Sequence, residues 1–258
     1  MGGRGSRSGG APAGGGGGGG VGLFTAGGIP IPQGPPPNAQ PGQPAPAISI
    51  AQLQAMNDTQ FVDYLNALKS TPIDKNTYYN NDWDTQRLVA NMPELNQAPD
   101  MVDVNAFAKL PGEPLYRTVN AQGNESAVDI CARTMTSDVT TIGEGRMGDG
   151  FYFHSDLGRS QGFYGNTVGN VQKTATMSVK LNQNARIITE SQLDQMVMNE
   201  SSAVRSAIRN MKSGGKWADS GYMAYALRKG YNVVKAGPIT NIIDRRAATW
   251  SSNVIAKR

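Results

Sequence analysis

Two short stretches hold residue types that could grip and activate a ligand. Leu115-Tyr116-Arg117-Thr118-Val119 sets an arginine and a threonine in an alternating, strand-like run. Gly148-Asp149-Gly150-Phe151-Tyr152-Phe153-His154-Ser155 sets an aromatic strand behind two glycines, with Ser160 and Tyr164 eight and twelve positions after Tyr152. A guanidinium makes bidentate, charge-assisted contacts with phosphate or sugar oxygens. A tyrosine face holds a flat ring, and glycine lets backbone approach a ligand closely.

Other chemistries fit less well. Gly143-Glu144-Gly145-Arg146-Met147-Gly148 matches G-x-G-x-x-G, but a dinucleotide fingerprint opens a helix and here a strand follows. There is no G-x-x-x-x-G-K-[ST]. A Cys131 and His154 nucleophile pair is weighed against a helical stripe, Val128, Cys131, Ala132 and Met135, that makes Cys131 a core residue. One cysteine and one histidine leave neither a disulfide framework nor a usual metal site, so no metal is expected.

Alternating elements must carry these residues. Helices are expected at 57–69, 84–92 and 104–110, the first from the Asn57/Gln60 capping box and the Met56/Phe61 staple. From Pro114 strands and helices alternate: strand 115–119, helix 126–135, strand 151–154, helix 156–164 and strand 172–181. Strand 185–189, helices 191–198, 201–212 and 217–229, and strands 231–235 and 239–243 complete the series. This pattern is α+β. Residues 1–47 hold 17 of the 32 glycines and 9 of the 15 prolines and are expected to be a disordered arm. Residues 48–110 form a helical annex and 111–258 the main domain.

The stretch 148–155 with Ser160 and Tyr164 resembles the NAD-binding strand and helix of the ADP-ribosyltransferase superfamily, whose poly(ADP-ribose) polymerase branch carries G-x-G-[aliphatic]-Y-F. Tyr116-Arg117-Thr118 resembles the "YRG" strand of its arginine-bearing transferases. Lys229-Gly230-Tyr231 and Asn241 to Ala247 look like the closing strands of bacterial and phage members. The resemblance covers roughly residues 110–250. It implies two small sheets packed at an angle around an NAD cleft, an ADP-ribosyltransferase-like split fold. Arg117 and Tyr152 would be the catalytic pair, with Arg117 on the NAD backbone and Tyr152, with Tyr164, sandwiching the nicotinamide. Thr118, Gly148, Gly150, His154, Ser155 and Ser160 would complete the NAD site, Ser155 on the ribose side. The family's glutamate on the last strand would fall at Ile239 or Thr240, and Asp244 comes several residues late. No E-x-E occurs. The resemblance therefore implies single ADP-ribose transfer, or an inactive relative, rather than polymer synthesis.

Each of these residues also has a plainer reading: Arg117 as a structural ion pair, Tyr152 as strand core, His154 as a satisfied scaffold residue, Asp244 as a surface or cap residue. Without Arg4 and Arg7, 22 basic face 20 acidic residues, too even a balance to argue for nucleic acid. Arg205, Arg209, Lys212 and Lys216 form a helical stripe without interleaved aromatics, read first as a solvated face. The expected acceptor is a macromolecule, a host protein before a nucleic acid. No segment has the ~18–20 apolar residues that span a bilayer, so no membrane is expected and the setting is cytoplasmic. The opening MGGRG together with "YRT" looks like phage or prophage proteins of gut bacteria. Inactive virion or interaction protein and NAD-hydrolysing toxin are the other readings, and nothing in the sequence addresses oligomeric state.

Overall fold

The computed structural model describes residues 31–40, 42–72, 83–121, 124–136, 147, 150–168, 174–211 and 219–256. Their order is α1 (Ile50–Ala55), α2 (Asp58–Ser70), α3 (Trp83–Ala90), β1 (Asp100–Val102), α4 (Val104–Lys109), β2 (Leu115–Asn120), α5 (Ala127–Met135), β3 (Phe151–His154) and α6 (Leu157–Val168). There follow β4 (Thr174–Leu181), β5 (Ile187–Thr189), α7 (Glu190–Asn199), α8 (Ser202–Asn210), α9 (Asp219–Arg228), β6 (Val233–Ala236), β7 (Ile239–Ile242), β8 (Ala248–Ser251) and β9 (Ile255–Ala256). The α+β expectation holds.

The strands form one open, mixed sheet in the order β1-β8-β4-β2-β3-β7-β6-β5, with β9 on β4. The β1–β8 and β5–β6 pairs are parallel and the others antiparallel. Two sheets at an angle were expected, and the strands instead lie on one hydrogen-bonded path. Its middle is its weakest seam, since β2 and β3 meet through the single pair Tyr116↔His154, whereas β2 and β4 pair along six residues.

Period-two alternation gives the sheet two unlike faces. On one, Val119, Ala175, Met177, Val179, Phe151 and Phe153 are buried around Trp250, whose ring meets Phe151 edge-on at 6.0 Å and Phe153 at 5.5 Å. Helix α5 packs here through Ile130 and Cys131. The other face is polar, carrying Thr118, Thr176, Tyr152, His154 and Asn241, and α6 lies against β2, β3 and β4. A half-buried strand was expected at 172–181, yet Thr174 and Thr176 are buried. The Thr176 hydroxyl tolerates that burial through a partner on β2: Thr118 Oγ1 lies 2.9 Å from Thr176 Oγ1 and 3.0 Å from Ser160 Oγ on α6.

The annex helices pack into the rest of the protein. Helix α1 lies on α9, α2 on α8, and α3 on α9. Thr85 and Ser220 share a buried hydroxyl contact at 2.8 Å, and Arg228 of α9 stacks 4.7 Å over Phe61 while pairing with Asp58 at 2.6 Å. The capping box of α2 forms as expected. The arm expected over 1–47 is contradicted at its far end, because residues from 31 onward are built into this helical layer. Ile31, Ala39 and Ala45 are buried, and the Gln52 amide donates to the carbonyls of Gln33, Gly34 and Pro35. Proline's locked φ lowers the entropy lost on ordering such a segment, and a buried amide supplies the donor its carbonyls need. Residues 1–30 lie outside the described residues, as do 139–146, Gly148, Lys212 and Lys216.

Candidate functional site

The three segments that carried the sequence argument become neighbours in space. Strand β2 holds 115–120, β3 lies on one side of it, and β7 lies on the far side of β3. On the polar face the register lines up Tyr116, His154 and Ile239 in one row and places Tyr152 beside Asn241 in the next. Helix α6 is fastened over this face by Ser160, which donates to the Tyr116 carbonyl at 3.2 Å and meets Thr118.

Arg117 does not join them. Its neighbour Tyr116 pairs with His154, so alternation sends Arg117 to the opposite face from Tyr152. Its guanidinium lies 5.7 Å from the centre of the buried Phe151 ring. Burial pushes the Cys131 thiol up to about 12, and the nearby Arg117 charge is what holds it from going higher. Arg245 approaches the same ring to 5.4 Å and donates to the carbonyls of Thr134 and Thr136, at the C-terminal end of α5. The expected convergence of Arg117 and Tyr152 is therefore absent, and Arg117 belongs to the α5 side of the sheet. The plainer reading of Cys131 as core also holds, and its elevated pKa disfavours the thiolate a nucleophile needs.

The remaining expected residues divide. Tyr152 and His154 are half-buried on the polar face. His154 Nδ1 accepts from the Asp156 backbone N–H at 2.9 Å, which places the proton of a neutral ring on Nε2. Ser155 is exposed, and its N–H donates to Pro238 at the β6–β7 turn. Thr118 and Ser160 come together, but their hydroxyls serve each other and the Tyr116 carbonyl. Gly150 is close-packed for a reason internal to the protein: a Cβ there would sit 2.0 Å from Asn241 Oδ1 and 2.9 Å from the Ile242 carbonyl. Gly148 and the Tyr164 side chain lie outside the described residues.

No family model, curated protein or solved structure matches the chain.

On β7, Ile239 is 38% exposed on the polar face, and Thr240 is buried on the other. Asp244 is buried, caps the 3-10 turn 245–247 and holds Arg246 at 2.7 Å, which bears out the cap reading. Among the described residues there is no group of three or more metal-ligating side chains, and no helix is long and apolar enough to cross a membrane. Sequence reasoning passed over Asn241, which is wholly buried. Its signal was a carboxamide directly before the apolar pair Ile242-Ile243, two positions from Ile239 and hence on the same face.

Proposed function

We propose that the polar face of β2, β3 and β7 is a nicotinamide-dinucleotide site and that the protein is an ADP-ribosyltransferase of the single-transfer kind. The supporting observation is that the three segments resembling that superfamily, distant in sequence, are adjacent strands in this order. On this reading Tyr152 holds the nicotinamide ring, and His154 Nε2–H and the Ser155 hydroxyl offer bonds to the ribose. The acceptor attacks the anomeric carbon, the bond from ribose to the nicotinamide nitrogen breaks, and nicotinamide leaves as the neutral base. NAD is a co-substrate, and the acceptor gives up one proton to solvent. With Ile239 on the site's face, the chain supplies no carboxylate from β7 to steady the oxocarbenium-like state. The acceptor is then a macromolecule, a host protein in a phage setting, and one ADP-ribose is transferred without chain growth.

A second reading, a non-catalytic interaction protein that keeps the fold, draws on Arg117 facing away from Tyr152. Incubation of the purified protein with NAD labelled in its adenylate half and with host lysate tells the readings apart. Label on macromolecules, lost in Tyr152→Ala, is the expected outcome. Free ADP-ribose alone would indicate an NAD-hydrolysing toxin, and neither product would favour the interaction protein.

A further inference from the structure

We infer that Asn241 is a positioning residue that fixes the backbone entering β3, and so sets how tightly the dinucleotide is held. The inference rests on the reading of the polar face as a dinucleotide site. Asn241 lies across from Tyr152 in the β3–β7 register and is fully buried. A buried carboxamide in the middle of a sheet is costly unless it is bonded, and this one reaches across β3. Its Nδ2 donates to the carbonyl of Met147 at 3.2 Å, three residues before Gly150. Its Oδ1 fills the space that a side chain at Gly150 would need, 2.0 Å from the ideal Cβ position. The glycine and the asparagine are thus one device, in which the missing side chain just before β3 admits the amide from β7 and the amide holds the Met147 carbonyl. Tyr152 is two residues beyond Gly150 and on the same face, so the seating of Gly150 against Asn241 sets where its ring stands. Asn241 is wholly buried, so it acts through the backbone it holds.

The test is a double-mutant cycle on the full chain: wild type, Asn241→Ala, Gly150→Ala and the double variant. Affinity for NAD is measured by calorimetry, KM and kcat from release of nicotinamide, and thermal midpoints alongside. Each single substitution should weaken NAD binding about tenfold, the scale of one lost hydrogen bond, and leave kcat within about threefold. The double variant should be no weaker than the worse single. A purely structural role would lower the thermal midpoint without this split between KM and kcat. Should Asn241→Ala fail to fold, Gly150→Ala carries the test, since it keeps the carboxamide in the chain and only displaces it. Multiplicative effects of the two substitutions, or wild-type affinity in a folded single variant, would overturn the inference while the dinucleotide reading stands. Failure of wild type to bind NAD at all would overturn both.

Discussion

Replacing Arg117 by alanine separates the geometry seen here from the pairing that sequence resemblance implies. In the structure its guanidinium is 5.7 Å from the Phe151 ring, on the α5 side of the sheet, and the residue is half-buried. A partly desolvated cation–π contact of this kind is worth about 1 kcal/mol. Loss of the aliphatic stem from the same packing costs about 1 kcal/mol more. Arg117→Ala should therefore cost about 2 kcal/mol of stability, a thermal midpoint roughly 4–8 °C lower for a chain of this size. NAD affinity should change less than about threefold, because the side chain leaves from the face opposite Tyr152. Tyr152→Ala should do the reverse, weakening NAD about tenfold or more through the lost ring face. Differential scanning calorimetry and isothermal titration on the two variants give both numbers. The variant also removes the charge that opposes the burial-driven rise of the Cys131 thiol, so that thiol should react still more slowly with an alkylating reagent. An Arg117→Ala protein as stable as wild type but unable to bind NAD would refute the assignment of faces.

Two further outcomes are expected. Tyr64 of α2 is wholly buried, its hydroxyl finds no partner among the described residues, and burial drives the phenol above its ordinary range. Tyr64→Phe should thus stabilise the protein by about 1 kcal/mol in chemical denaturation, and a clear loss of stability would show that the hydroxyl is bonded after all. Glu200, after α7, ties that helix to α9 by contacts of 2.7 Å with both Tyr225 and Lys229. Burial pushes its carboxyl up, but hydrogen bonds from Lys229 and Tyr225 and the Lys229 charge outweigh it, leaving the folded value below the ordinary one. A depressed carboxyl stabilises the fold above its unfolded value, about 4.3, and the stabilisation is lost as pH falls through the folded value. Glu200→Gln should cost about 1–2 kcal/mol at pH 7, and its gap from wild type should close below about pH 4. A gap that persists in acid would sink that reasoning.

Much of the architecture was legible because it is written in local periodicity. The capped start of α2 follows from side chains a few positions apart, and α5 and β4 formed within a few residues of their expected places, but of the expected α5 stripe only Cys131 and Met135 are buried, whereas Val128 and Ala132 are exposed. The elements missed were those whose reason lies elsewhere in the chain. Strand β1 is three residues long and exists because β8 lies beside it, and β8 itself follows a 3-10 turn capped by Asp244. The proline-rich segment from residue 31 was judged by composition alone, and composition cannot report that Gln52 would be waiting with a donor for three successive carbonyls.

The site shows the same limit more sharply. Sequence spacing shows which residues share a face within one strand, but the faces of two strands are matched only by their register. Tyr152 and His154 had to lie together, being two apart. Whether Arg117 or its neighbours Tyr116 and Thr118 would meet them depended on one pairing, Tyr116↔His154, that no local pattern encodes. A slip of one residue would have brought the guanidinium to the tyrosine ring and sent Tyr116 into the apolar core. The polar face avoids that outcome through its hydroxyls: Thr118 and Thr176 are directly opposed, and Ser160 closes on both Thr118 and the Tyr116 carbonyl. Shifting β2 by one position would break those bonds and bury Arg117 beneath α6. Thr118, which sequence reading assigned to the NAD site, and Thr176 thus help decide which side chains meet at the candidate site.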